Sequence, residues 1–242
     1  MKAKLTRVIV FTVLFVFGTI INSALGAGLD QDKKENRKVG DFNEISLSIP
    51  ADLFLTQGSK NEIIIEANES LLEKIETEIR GSRLEIKFEK WYNYKGMGEI
   101  NVYVTVKDIN KLVVSGSGDI VSKSPIKSDK ISFIVSGSGS VMIDDLVTKE
   151  VDAMVTGSGD VRLKGNVDVD ELDVTVTGSG DFESVDLKFR EANLSITGSG
   201  SIHTYVIDEL DASITGSGKI YYKGKPVIDA NITGSGKIKS DN

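Results

Sequence analysis

Val174-Thr175-Val176-Thr177-Gly178-Ser179-Gly180-Asp181-Phe182 alternates apolar and polar side chains, breaks at Gly-Ser-Gly, and resumes with an apolar residue. Gly-Ser-Gly occurs seven times, beginning at Gly116, Gly137, Gly157, Gly178, Gly198, Gly216 and Gly234, at spacings of 21, 20, 21, 20, 18 and 18 residues. The flanks repeat with it. A hydroxyl residue precedes each turn (Ser115, Ser136, Thr156, Thr177, Thr197, Thr215, Thr233), and before it stands Val114, Val135, Val155, Val176, Ile196, Ile214 or Ile232. Two positions further back the residue is again apolar, from Leu112 and Phe133 to Ala212 and Ala230. After the turn the pattern resumes at Ile120, Val141, Val161, Phe182, Ile202, Ile220 and Ile238. Period-two alternation marks strands with one buried and one wet face.

Each repeat therefore reads as strand, Gly-Ser-Gly turn, second strand and a variable return loop such as Lys123-Ser124-Pro125. A unit of this length cannot bury its apolar edge alone, whereas stacked copies bury it along a common axis. In an antiparallel sandwich or barrel, the alternative, successive repeats would change direction and share no ladder. Matched offsets through all seven repeats favour one translation per repeat, so the expected fold is all-β: a parallel β-helix, right-handed by the rule for parallel crossovers. Side chains at the stacked turns would crowd, which accounts for glycine, and stacked Ser and Thr hydroxyls are expected to bond along the ladder.

Before Gly116 the signature is missing. Glu44–Ile49, Leu53–Thr56, Glu62–Glu66, Arg83–Lys87 and Ile100–Val106 read as strands. Asn68 is placed to cap a helix from Glu69 to about Glu78, with Leu71, Leu72, Ile75 and Ile79 at helical spacing. Residues 38–110 are expected to form irregular early rungs and a cap, continuous with the seven-repeat β-helix of 111–242. At the other end no capping element follows Gly234. The residue after the turn changes from Asp119, Asp160 and Asp181 to Lys219 and Lys237, joined by Lys223, Lys225 and Lys239. Such lysines protect a strand edge or mark a homo-oligomer joined through the C-terminal rung.

Lys2, Lys4 and Arg7 precede an uncharged run, Val8–Ile21, and small residues around Gly26, the layout of a secretory signal peptide over 1–26. The run falls short of the roughly 20 residues of a spanning helix. Cleavage takes the net charge from −7 to −10 and leaves 216 residues, of which 27–37 are expected to be a flexible start. That acidity disfavours nucleic acid and anionic membrane surfaces. With no cysteine there is neither a disulfide nor a lipid-bearing thiol, so the expectation is an exported periplasmic or cell-surface protein without direct membrane insertion.

Phe42-Asn43-Glu44-Ile45, Pro50 to Gly58, Leu71-Leu72-Glu73-Lys74-Ile75, Val102 to Val106 and Ser115 to Asp119, in this order, resemble the auto-transporter adhesin "head GIN" domain family over roughly residues 38–240. The resemblance implies an exported β-helical envelope protein, often from Bacteroidetes-type bacteria, with no assigned catalytic residues.

The residues themselves point away from catalysis. Acidic positions recur once per repeat, as a row and not as the converging pair that glycoside cleavage needs. His203 is the only histidine, too little for a zinc site, and the turn serines have no base within their repeat. A strand, not a helix N-terminus, follows each Gly-Ser-Gly, which argues against a phosphate loop. Asp152 with Asp173, and Asp160 with Asp181, stack one rung apart, but the Gly-Gly-x-Gly-x-Asp signature of calcium β-rolls is missing. No metal, cofactor or catalytic residue is expected. The candidate ligand site is the aromatic loop Trp91-Tyr92-Asn93-Tyr94, with a glycan or cell-surface protein as partner; packing of these rings onto the body of the fold is the structural alternative. Self-assembly in the envelope and polysaccharide degradation are the rival functions.

Overall fold

The computed structural model describes residues 32–96 and 98–242; the expected signal peptide, 1–26, lies outside them. Two long parallel sheets meet along the Gly-Ser-Gly corners. The pre-turn sheet stacks Lys111–Gly116, Lys130–Gly137, Glu150–Gly157, the later parts of Asp168–Gly178, Asp181–Gly198 and Ser201–Gly216, and then Val227–Gly234. The post-turn sheet stacks Asp119–Ser122, Ser140–Ile143, Asp160–Leu163, the starts of the two longest strands, Lys219–Lys223 and Lys237–Ser240. A short third side pairs Ile126–Lys127 with Leu146–Val147 and, further along, Phe189 with Val169 and Val206.

Register follows the repeat. Leu112, Phe133, Ala153, Val174, Leu194, Ala212 and Ala230 form one inward column, and Ile120, Val141, Val161, Phe182, Ile202, Ile220 and Ile238 another. Every pairing between repeats is parallel, which excludes the antiparallel meander. The aliphatic residues before the turn are sealed on both sides until the last rung: Ile214 is 1% exposed but Ile232 is 42% exposed. Sealing such a side chain is worth about 1.5–3 kcal/mol, so stacking supplies the stability that a single rung lacks.

The corners stack as closely as the strands. The N–H of Ser138 donates to Gly116 O at 2.8 Å, and those of Ser158, Ser179, Ser199, Ser217 and Ser235 repeat the bond to the preceding rung. Gly157 has φ +111, and a Cβ on it would lie 2.5 Å from Gly137 O. Both the dihedral and the neighbouring rung therefore demand glycine.

The N-terminal rungs are stacked out of chain order. Glu44–Leu47 lies between Arg83–Phe88 and Lys111–Gly116, and Asp52–Gln57 between Asn101–Val106 and Asp119–Ser122. The outermost parallel rung thus comes later in sequence than the one beneath it. Antiparallel strands then close this end: Glu62–Ala67 on Asn101–Val106, Lys33–Arg37 on Glu62–Ala67, and Ile75–Arg80 on Arg83–Phe88. Two expectations change here. The helix stops after Glu69–Leu72, its Asn68 cap accepting from Leu71 N at 2.9 Å, because Ile75 and Ile79 serve a strand equally well at four-residue spacing and find a partner in Arg83–Phe88. Lys33–Arg37 is a paired strand and not part of a flexible start.

Candidate functional site

The three rings singled out in the sequence divide. Tyr92 and Tyr94 lie half-buried against Phe88, at centroid distances of 5.0 and 5.4 Å, and the Tyr94 hydroxyl donates to Gly98 O at 2.7 Å. Trp91 is 90% exposed, with φ 75 and Lys90 Nζ 5.2 Å from its ring. Two rings anchor the loop and one projects from it. A non-glycine residue at positive φ costs on the order of 1–3 kcal/mol and is held there only by its surroundings, here the packing of its neighbours on Phe88.

The acidic rows fall into two kinds. After the turn, Asp119 Oδ1 accepts from Ser140 N (2.8 Å) and Ser140 Oγ (2.6 Å), and Asp181 Oδ1 accepts from Ser201 N (2.9 Å) and Ser201 Oγ (2.7 Å). Asp160 Oδ1 likewise accepts from Asp181 N. These carboxylates tie one rung to the next. On the pre-turn sheet, Glu150, Glu171, Glu191 and Glu209 form one outward column, and Asp152, Asp173, Asn193, Asp211 and Asp229 form the next. Lys130 relieves only one end, at 3.1 Å from Glu150 and 3.2 Å from Asp152. The charge of Asp173, then burial and the charge of Glu150, push the Glu171 carboxyl above its ordinary value.

Beside the acidic columns runs a neutral one, Thr175, Ser195, Ser213 and Asn231, which with Asp173, Asn193, Asp211 and Asp229 lines a shallow depression of about 540 Å³. The row Thr177, Thr197, Thr215 and Thr233 borders it. Contrary to expectation, these threonine hydroxyls do not bond along the ladder to any described residue; between rungs, hydroxyls bond to the post-turn aspartates, as Ser140 and Ser201 do, and to each other in the buried pair Ser184 and Thr204, at 3.1 Å. The outward threonines are left open to solvent.

His203 stacks on Tyr221 at 4.4 Å and is hydrogen-bonded to neither a serine nor a carboxylate among the described residues. Arg162 is engaged by Asp160 (3.1 Å) and Glu183 (3.6 Å). The outward groups stand in straight columns, and the described residues contain no converging set of three or more potential metal ligands. Sequence reading missed one grouping. Register brings His203, Tyr221 and Lys239 into one column, Ser201, Lys219 and Lys237 into the next, and sets Tyr205 against Lys223. The signal was present in the 18-residue spacing of the last repeats, which aligns these residues directly.

Several solved structures share this architecture. One titled a putative adhesin from Bacteroides fragilis superposes with a TM-score of 0.82 at 24% identity, covering 87% of this chain and 97% of its own. Another, titled a putative lipid binding protein from Parabacteroides distasonis, gives a TM-score of 0.74 at 27% identity over 89% of this chain and 98% of its own. A putative adhesin from Parabacteroides merdae gives 0.70 at 22% identity, with coverage of 89% and 98%. No curated protein matches the chain. Residues 41–226 match the family model described as "Putative auto-transporter adhesin, head GIN domain", and with most of the chain inside that match, opening strands and glycine corners together, the protein belongs to this family.

Proposed function

We propose that the chain is a non-catalytic binding module of the cell envelope or surface, a right-handed β-helix that presents a rigid, repetitive face to a glycan or a surface protein. The observation that carries this is the outward arrangement of the pre-turn sheet. Side chains with free hydrogen-bonding groups, Thr175, Ser195, Ser213 and Asn231 beside the threonine row, are held in register over a shallow open depression. A linear array suits an extended ligand, whereas catalysis needs groups converging on one reacting atom. The adhesin names of the family and of the similar structures support the same reading. Trp91, projecting from its Tyr92 and Tyr94 base, is the proposed second contact. The test is binding of the purified protein to envelope and host glycans and proteins. A Thr175→Ala/Ser195→Ala/Ser213→Ala variant and Trp91→Ala are each expected to weaken it, and no binding by wild type would refute the proposal.

One observation favours a second reading, self-assembly. Val227–Gly234 is exposed throughout, with Val227 at 76% and Ile232 at 42%, and its outer backbone edge has no strand partner among the described residues. Such an edge can template another strand. A strictly monomeric species at high concentration would remove this reading.

A further inference from the structure

The C-terminal end of the post-turn sheet carries a charge opposite to that of the protein. On three adjacent rungs the outward side chains are Ser201, His203 and Tyr205, then Lys219, Tyr221 and Lys223, then Lys237 and Lys239. Lys188 Nζ lies 5.7 Å from the Tyr205 ring and Lys239 Nζ 6.0 Å from the Tyr221 ring. Five ammonium groups thus surround three rings on a molecule whose net charge is −7.

These lysines form no ion pair among the described residues. All ion pairs among the described residues fall between Lys33 and Glu183. Lys219 stands directly beside Lys237, about 4.8 Å away along the ladder, a like-charge pairing that costs stability. Edge protection explains lysines on the last strand but not Lys219 and Lys223 one rung inside, nor Lys188 further in. The rings add donors: the hydroxyls of Tyr205 and Tyr221 and the His203 imidazole are free of hydrogen bonds to the described residues.

We infer that this patch binds an acidic polysaccharide through its carboxylate or sulfate groups. The inference rests on the binding-module reading and adds a ligand class and a second face to it. Repeating anionic groups on an extended chain match ammonium groups repeated from rung to rung. A membrane would require apolar side chains to insert, and the outward positions here offer none. Single-stranded nucleic acid would stack its bases on open ring faces, but His203 and Tyr221 cover each other at 4.4 Å and 18°.

The test measures affinity of the purified protein for polygalacturonate, dextran sulfate and neutral dextran at low and high salt. Wild type is expected to bind one or both polyanions, with affinity falling steeply as salt rises; which one binds tells carboxylate from sulfate recognition. Lys219→Gln/Lys237→Gln/Lys239→Gln is expected to lose about tenfold or more, while Lys38→Gln/Lys123→Gln/Lys127→Gln, with the same change in net charge, stays within about twofold. Both variants are checked by circular dichroism, and Lys219→Gln alone replaces the first should it misfold. Equal losses in the two triple variants, or binding of dextran alone, overturns the inference and leaves the binding module standing. Preference for duplex DNA or anionic vesicles also overturns it, as does salt-sensitive self-association without polysaccharide binding, which would assign the lysines to the acidic columns of a second copy. Failure to bind any glycan or protein overturns both readings.

Discussion

Alanine substitutions at the corner glycines separate the two demands made there. Gly116 has φ +117, but a Cβ on it meets nothing within 4 Å, because the rung beneath turns through Ile49-Pro50-Ala51. Gly180 has no left-handed φ, yet its Cβ would run into Gly159 O and come within 2.7 Å of Val155 Cγ1. Gly157 combines both, with φ +111 and Gly137 O at 2.5 Å. The dihedral alone costs about 1–3 kcal/mol for alanine. The clash costs about as much again, since the rungs cannot separate without stretching ladder hydrogen bonds.

The expected order is therefore Gly157→Ala at about 2–6 kcal/mol, with Gly116→Ala and Gly180→Ala each at about 1–3 kcal/mol. Equilibrium urea denaturation followed by far-ultraviolet circular dichroism measures the differences, provided the slope with denaturant is unchanged. Hydrogen exchange localises them, because stacked repeats are coupled through nearest neighbours. Two results would refute the reasoning. One is Gly157→Ala being no worse than Gly116→Ala. The other is Gly180→Ala lying within about 0.5 kcal/mol of wild type, the range of an ordinary surface change.

Phe182→Ala, which empties a fully buried position between Val161 and Ile202, is expected to cost about 3–5 kcal/mol by the same denaturation. Asp181→Ala removes the acceptor for Ser201 N and Oγ and is expected to cost about 1 kcal/mol, whereas Asp181→Asn, which keeps an oxygen there, costs less; thermal melts distinguish them. Burial alone would raise the Glu44 carboxyl, but hydrogen bonds from Arg83 and Ser82 and the charges of Arg83 and Lys111 outweigh it and hold the carboxyl below its ordinary value. A lowered carboxylate stabilises the fold above its unfolded value and loses that contribution as pH falls through the folded one. Glu44→Gln is therefore expected to cost about 0.5–1 kcal/mol at pH 7 and almost nothing once the solution is well below the ordinary glutamate range, as melts across that interval would show.

The repeats were legible because every rung restates the same demands. Glycine at both corner positions, an aliphatic residue two before the turn and an apolar one four after its first glycine fix which residues face inward, and the structure pairs those very offsets. The first hundred residues lack that redundancy. Glu44 pairs with both Arg83 and Lys111, so its rung is inserted between two segments that come later in the chain, and such pairings leave no periodic trace. Ile75 and Ile79 fitted helix and strand alike until a partner decided. At the candidate sites, Trp91, Tyr92 and Tyr94 were visible as an aromatic cluster, but their division into one projecting and two anchoring rings depends on Phe88, which local sequence did not single out.

The outward columns obey a different logic from the corners. Tyr103, Phe54, Val121, Met142, Arg162, Glu183, His203, Tyr221 and Lys239 occupy one column of the post-turn sheet, geometrically equivalent but chemically unlike one another. Folding holds the corner glycines constant and leaves the chemistry of this column free to vary. The residue after the turn makes the point most directly. Asp119, Asp160 and Asp181 each accept the next rung's N–H; where Ser201 and then Lys219 stand in that position, the N–H groups of Lys219 and Lys237 are satisfied instead by Gly200 O and Gly218 O, each at 3.1 Å. The backbone thus closes the corner without the carboxylate, and the lysines bring no new contact to the fold. A residue that costs electrostatic energy and adds nothing to the ladder is best accounted for by what it meets in solution.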